Sequence, residues 1–455
     1  MPPSSLTSQQ KSTLRAASRD AIAGAYASLA EHIGCDRWLG PDNAYMGRPI
    51  STLRLHSREG EQVDHEHLSE YIAASAPIHY LDACSYLGRA IDSHILGDIG
   101  AARHLAYYAE LRSAASLLAC EGVGIFLNQH FAIDQNGVSH LISGLSTHSF
   151  AWLALEDWAG QSRSVDLLST LIQPSGIALA AWLDAFRAES QLSQIGSRWL
   201  RNWGLDLKMF AKDKEARNIA SYRPSAFHCC VNPDIDYAAR FIQDLWHLFE
   251  PSSASIFQQL DRYLLRRSLE EAYESVEGNA PSTSSASSTD FEDRIRSMIK
   301  TLSLPSSQSV YWGDFLTRRS LPDDSQVICQ ASETAEVDHP SHHIQVMSRA
   351  ALLLRIAAGA CRLHLETAGH TKHDLEFWWR DIGHRRGFWE TNAEPDQLVD
   401  LWSDVVVAID HMADWQETVR QNGGTQTPAG WINACSLDMQ VLEGFERVGF
   451  WSLAI

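Results

Sequence analysis

Arg217 and Asn218 lie side by side in the stretch DKEARNIASYRPSAF (residues 213–227), with Tyr222 four residues after Asn218 and with Arg223, Pro224 and His228 just beyond. A guanidinium can grip a phosphate through parallel hydrogen bonds, a carboxamide can orient it, and a hydroxyl or imidazole nearby can move a proton. Cations crowd the same region. Arg198, Arg201, Lys208, Lys212, Lys214 and Arg217 fall within twenty residues, interleaved with Trp199 and Trp203. Cations beside aromatic rings suit a surface that tracks a phosphate backbone and stacks a base. The same residues also fit a solvated helix face, because Asp206, Asp213 and Glu215 lie among them and would cancel much of the field.

The rest of the composition narrows the setting. Over 455 residues the formal net charge is −19, which opposes nucleic-acid or anionic-membrane binding through bulk charge and leaves only a local basic patch to do it. The eight cysteines are scattered, with only Cys229 and Cys230 adjacent and no C-x-x-C pair, so the expectation is free thiols in a reducing cytoplasm rather than a zinc ribbon or redox site. No apolar run approaches the ~20 residues of a membrane span, and the N-terminus lacks the apolar core of a secretory signal. The phosphate-loop, dinucleotide-fold, nucleophile-elbow and H-E-x-x-H patterns are absent, which excludes common nucleotide hydrolases and zincins. The expectation is a cytoplasmic protein with no cofactor, no metal and no membrane partner.

The periodicity predicts a mainly α fold. Residues 8–33 carry helical spacing, a second helix runs over 64–76, and Pro77 is expected to open a new segment. The strongest helix of the first half is AARHLAYYAELRSAASLLACEG (101–122). The period changes in GIFLNQHFAIDQNGVSHLI (124–142). There Asn136-Gly137 signals a type I′ turn and one β-hairpin near 123–142. Residues 278–289, rich in serine, read as a flexible linker between a helical domain over 1–277 and a Trp-rich helical domain over 290–455. A short strand is expected at 326–330, a long buried helix over HHIQVMSRAALLLRIAAGACRLHLE (342–366), and helices near 373–384 and 395–420.

Arg followed by Asn at or near a helix start, with His four to six residues later, is the signature of HEPN-type helical domains. RNIASY (217–222) resembles it with Tyr222 in the His position. KEARNIASYRPS together with the helix around residues 101–119 is similar to YaaC-like HEPN relatives. The resemblance covers about the first 250 residues. It implies a protein of a bacterial conflict or antiviral system, acting as a metal-independent ribonuclease or as a degenerate RNA-binding component, often across a dimer interface. By that resemblance Arg217 would hold the scissile phosphate and Asn218 would orient it. Tyr222 or His228 would stand near the 2′-hydroxyl. A tyrosine of pKa ~10 is a poor base at neutral pH, so His228 is the nearer substitute.

Other constellations carry structural readings beside functional ones. Arg89 and His94 share a helix, but five residues turn it by ~500°, leaving the side chains ~140° apart. In WWRDIGHRRGFWE (378–390), Arg380 and His384 lie one turn apart with Arg385 and Arg386 following. That is a candidate RNA-contacting end, or a helix C-terminus whose cations offset the dipole, with Gly387 as its stop. His339, His342, His343, the pair His373-Asp374, and Asp410 resemble the order of an HD-type metal phosphohydrolase, although Asp374 equally suits a helix start. The competing functional class is a non-enzymatic helical interaction subunit whose tryptophans dock on a protein partner.

Overall fold

The computed structural model describes residues 5–59, 63–186, 198–222, 234–253, 255–277, 285–334, 336–337, 339–391 and 393–453. The chain forms two compact units. One comprises Met1–Trp158, Leu207–Gln243 and Ala335–Ile455, and the other Ala159–Asp206 and Asp244–Thr334. Both are helical, and the only strands among the described residues belong to one small sheet, so the fold is mainly α. The division differs from the expected one at 278–289. Residues 285–289 open the helix Ser285–Thr301, while 278–284 lie outside the described residues. The segment after residue 335 clusters with the N-terminal 158 residues instead of standing as a separate domain.

The first unit is built around the helix His342–Thr367, whose Val346, Met347, Ala350, Leu353, Leu354, Ala357 and Ala360 are all buried. This is also the one described helix long and apolar enough to cross a bilayer by length and composition, where none was expected, and its most apolar window is wholly buried. It packs on Ile99–Cys120 and on the long helix His65–Ile95. Asp98 starts Ile99–Cys120, its carboxylate accepting the N–H of Ala101 at 3.0 Å, and alanine at six buried positions of that helix lets its neighbours approach closely. Pro77 does not open a new segment, because His65–Ile95 is continuous across it. The lost N–H at Pro77 is outweighed by burial on both sides of it, from Leu68 to Ile95. Gly88 on the same helix lies against the end of Pro428–Glu443, where a Cβ would meet the Glu443 carbonyl oxygen at 1.9 Å.

The sheet is larger than one hairpin. It has three antiparallel strands in the order β1 (Val123–Phe126), β2 (Gln129–Ile133) and β3 (Ser139–Ser143), with Gly124 opposite Phe131 and Phe131 opposite Leu141. The Asn136-Gly137 hairpin joins β2 to β3, but it is not a two-residue type I′ turn. Only Gly137, at φ +77°, is left-handed. Asp134 builds the longer loop instead: its Oδ1 accepts from Asn136 N–H at 2.8 Å and from Val138 N–H at 3.0 Å. The sheet fixes the helix that follows. Thr147 Oγ1 donates to the Leu127 carbonyl at 2.7 Å, and the His130 ring stacks on Phe150 at 3.9 Å. Thr147–Ala159 therefore starts at a defined place.

At the C-terminus the helices are Glu376–Arg386, Leu401–Gln421, Pro428–Glu443 and Glu446–Leu453. The last two were not anticipated. The second unit holds Ser162–Leu171, Leu179–Ala185, Gln258–Glu277, Ser306–Leu316 and Gln326–Ser332, and the rings of Trp182 and Trp312 meet within it at 5.1 Å. The strand expected at 326–330 is a helix. Ser325 caps it by accepting from Val327 N–H at 3.2 Å and is itself anchored on Asp244 at 2.6 Å. Arg266 is fully buried in this unit, where its guanidinium donates to the carbonyls of Leu321 and Asp323 and to the Asp324 carboxylate.

Candidate functional site

Arg217 lies in the helix Met209–Tyr222, well past its start. One turn before it, Asp213 is fully buried and locks the helix in place. Arg349 of the central helix donates to both Asp213 oxygens, at 2.7 and 3.1 Å, and its Nε stands 3.4 Å from the Glu110 carboxylate on Ile99–Cys120. His342 Nε2 is 3.2 Å from Asp213. All four side chains are buried, and desolvation followed by the neighbouring Asp213 charge pushes the Glu110 carboxyl well above the usual carboxylate range. Asp213 thus does not offset the cations on the helix surface, as it would on a solvated face.

That anchoring sets Arg217 against two tyrosines one turn from Glu110. Its guanidinium lies over the rings of Tyr107 and Tyr108, 5.3 and 5.4 Å from their centroids. Arg217 Nη1 donates to Asn218 Oδ1 at 3.0 Å, and Nη2 donates to His148 Nε2 at 2.9 Å. Because Nε2 accepts, the neutral ring carries its proton on Nδ1, which lies 2.9 Å from the Tyr107 hydroxyl. Tyr107 also accepts from Trp152 Nε1 at 3.4 Å. Lys214 donates to Ser149 Oγ at 3.1 Å, and His104 Nδ1 bonds Ser221 Oγ at 2.9 Å.

The electrostatics are those of a positive site. Burial, then Arg217, then Lys214 lower His148 to about 4. Burial and then Arg217 lower His104, and burial followed by Arg217 lowers Lys214. Burial raises the Tyr107 phenol. Among the described residues no carboxylate pairs with Arg217 or Lys214. At neutral pH the site therefore presents a guanidinium, an ammonium and a neutral imidazole, a set suited to attracting an anion.

Of the residues singled out from the sequence, the structure brings together Arg217, Asn218 and Lys214. Tyr222 is 83 % exposed and takes no part, so it does not stand in for a histidine. His228 and Arg223 lie outside the described residues. Arg198 and Arg201 belong to the second unit and Lys208, Lys212 and Lys214 to the first, so the basic run is shared between units. Trp199 and Trp203 are buried and stacked on one another, which removes them as base platforms. Lys212 is a half-buried cation 3.9 Å from Glu336.

The other constellations take their structural readings. Arg380 pairs with Glu376 and Glu394, Arg385 with Asp381, and Arg386 with Glu446, ahead of a left-handed Gly387 at φ +71°. Arg385 and Arg386 thus serve helix-end pairing and capping. His94 is buried against His343, with the two rings bonded at 2.9 Å, away from the exposed Arg89. Asp374 caps its own turn through Thr371, and no three His, Cys, Asp or Glu side chains gather as a metal-ligand set among the described residues.

Sequence reasoning missed His148, 69 residues before Arg217, because nothing in the local spacing links them. His104, Tyr107 and Tyr108 had a signal, since they lie in the helix that carries part of the HEPN resemblance. No family model matches the chain, and no curated protein or solved structure is similar to it at a significant level.

Proposed function

We propose that the chain is an RNA-binding protein of the HEPN type, acting in a bacterial conflict or antiviral system, with Arg217 holding a backbone phosphate and His148 acting on the 2′-hydroxyl proton without metal. The observation that carries this reading is the Arg217–His148 contact at 2.9 Å, beside Lys214 and with no pairing carboxylate among the described residues, in a chain of net charge −19. A cationic site kept unpaired in an acidic protein is suited to an anion from outside. His148 supplies the imidazole that Tyr222 does not. In the cleavage step the 2′-oxygen would attack phosphorus as His148 Nε2 takes its proton, and the P–O5′ bond would break as the departing O5′ takes a proton from the Lys214 ammonium or from water, leaving a 2′,3′-cyclic phosphate and a 5′-hydroxyl. Arg217 would stabilise the charge gathering on the phosphoryl oxygens.

A second reading keeps the binding and drops the cleavage. A base held near pKa 4 has little drive to take a proton at neutral pH, which favours a degenerate RNA binder. The docking-subunit alternative has less support. Among the described residues no tryptophan is exposed, and Trp378, Trp379, Trp389, Trp431 and Trp451 are core residues. The test is fluorescence anisotropy of a labelled single-stranded RNA against wild type and Arg217→Ala at several salt concentrations. The reading expects weaker binding by the variant and a salt slope smaller by about one phosphate contact. Identical affinities and slopes contradict it.

A further inference from the structure

A cavity of about 260 Å³ is lined in part by His148, the residue that accepts from Arg217. Pockets for drug-sized ligands span ~300–1,000 Å³, so this one takes a single ring system and not an extended ligand. Leu111 and Ala115, one turn apart on Ile99–Cys120, Ile125 of β1 and Leu127 of the turn that follows it supply its aliphatic lining. An aliphatic lining suits the faces of a planar ring. His148, His79 and Arg112 are among its polar lining residues.

Arg112 is arranged as a donor. Its Nη1 donates to His79 Nδ1 at 2.9 Å and its Nε faces Asp82 at 3.6 Å, while Nη2 has no partner among the described residues. Burial and then Arg112 itself lower His79 to about 3, so that ring stays neutral and accepts from Arg112 across the ordinary pH range. A ligand with apolar faces, an acceptor edge for a guanidinium and an attached phosphate near Arg217 has the chemistry of a nucleotide. Among the bases, guanine offers a guanidinium its O6 and N7 acceptors.

We propose that this cavity is a nucleobase subsite that prefers guanine, with Arg112 reading the acceptor edge of the base next to the phosphate at Arg217. The inference rests on the RNA reading of the Arg217 site, and it names the specificity of that site. Arg112 touches neither Arg217 nor His148 in the contacts above, so base choice and phosphate grip are separable.

Calorimetric titration of the full chain with guanosine 3′-monophosphate, cytidine 3′-monophosphate and inorganic phosphate tests it. The guanine nucleotide should bind ~10-fold tighter than the cytosine one, within the range one good guanidinium–base pair supplies. Arg112→Met should bring the two nucleotides together and leave phosphate affinity unchanged, whereas Arg217→Ala should weaken all three ligands. Ala115→Phe fills the cavity from its wall and should erase the same preference, which keeps the test sharp if Arg112→Met fails to fold. Equal affinities for the two nucleotides, a gap unmoved by both variants, or tighter binding of octanoate than of guanosine 3′-monophosphate overturns the proposal. Guanine preference without RNA cleavage sinks the ribonuclease reading and leaves the subsite standing. Cleavage with no guanine preference does the reverse.

Discussion

Arg349 holds Asp213 through two hydrogen bonds, Nη2 to Oδ1 at 2.7 Å and Nε to Oδ2 at 3.1 Å, one helical turn before Arg217. With Glu110 beside the same guanidinium, a single buried cation ties the Arg217 helix to the helix bearing Tyr107 and Tyr108. Removing one partner from such a group leaves uncompensated charge in the core. Arg349→Met should therefore cost ~3–5 kcal/mol of stability by urea denaturation. Adding Asp213→Asn and Glu110→Gln should recover part of that loss. A loss below ~1 kcal/mol would show that the charges are not desolvated as the structure has them.

The imidazole of His148 should titrate near 4 by NMR, well below the ordinary value of 6.5. A folded-state pKa lowered in this way means that the unfolded chain binds the proton more readily between those two values. The contribution of His148 to stability is thus full above about pH 6.5 and falls as pH drops towards 4. Burial is the first cause and Arg217 the second, so Arg217→Met should raise the midpoint without restoring it fully. A midpoint near 6.5 in the wild type would place His148 in solvent and away from the guanidinium.

Gly88 marks a close crossing between His65–Ile95 and Pro428–Glu443. With a carbonyl oxygen at 1.9 Å from where a Cβ would sit, the backbones must separate to admit a methyl group. Gly88→Ala should destabilise the protein by ~1–3 kcal/mol, as overpacking does, despite alanine's better helix propensity. A stabilised variant would mean that the two helices do not meet there.

Tyr222→Ala should leave both stability and RNA affinity close to wild type, with a stability change within ~0.5 kcal/mol, because its ring is 83 % exposed and touches none of the site residues. A large loss of RNA binding in this variant would return Tyr222 to the position that the RNIASY pattern suggested for it.

The fold class was legible because long periodic segments such as 342–366 and 101–119 carry unambiguous helical spacing. The Asn136-Gly137 hairpin was legible because its turn residues are local. Segments whose neighbours decide their state were not: Pro77 is carried inside a helix by tertiary burial, and the apolar 326–330 run is helical because Ser325 caps it. The site was half legible. Arg217, Asn218 and Lys214 share one helix, so spacing could find them. His148 enters from the helix after the sheet, and Arg349 from the centre of the fold, so only the packing of distant helices brings them together. The apparent basic run failed as a unit for the same reason, since charge density along a chain says nothing about which unit each side chain joins.

The central claim is that Arg217 and His148 form one RNA-cleaving pair. Incubation of the purified full chain with single-stranded RNA in excess EDTA, followed by end-group analysis, tests it directly. The account predicts metal-independent products ending in 2′,3′-cyclic phosphate, reduced ~10²-fold or more in both Arg217→Ala and His148→Ala, the loss typical of a missing proton-transfer or charge-stabilising group. The exposed control Arg89→Ala should cleave as wild type does. RNA left intact by the wild type, or cut equally by wild type and both variants, would contradict it.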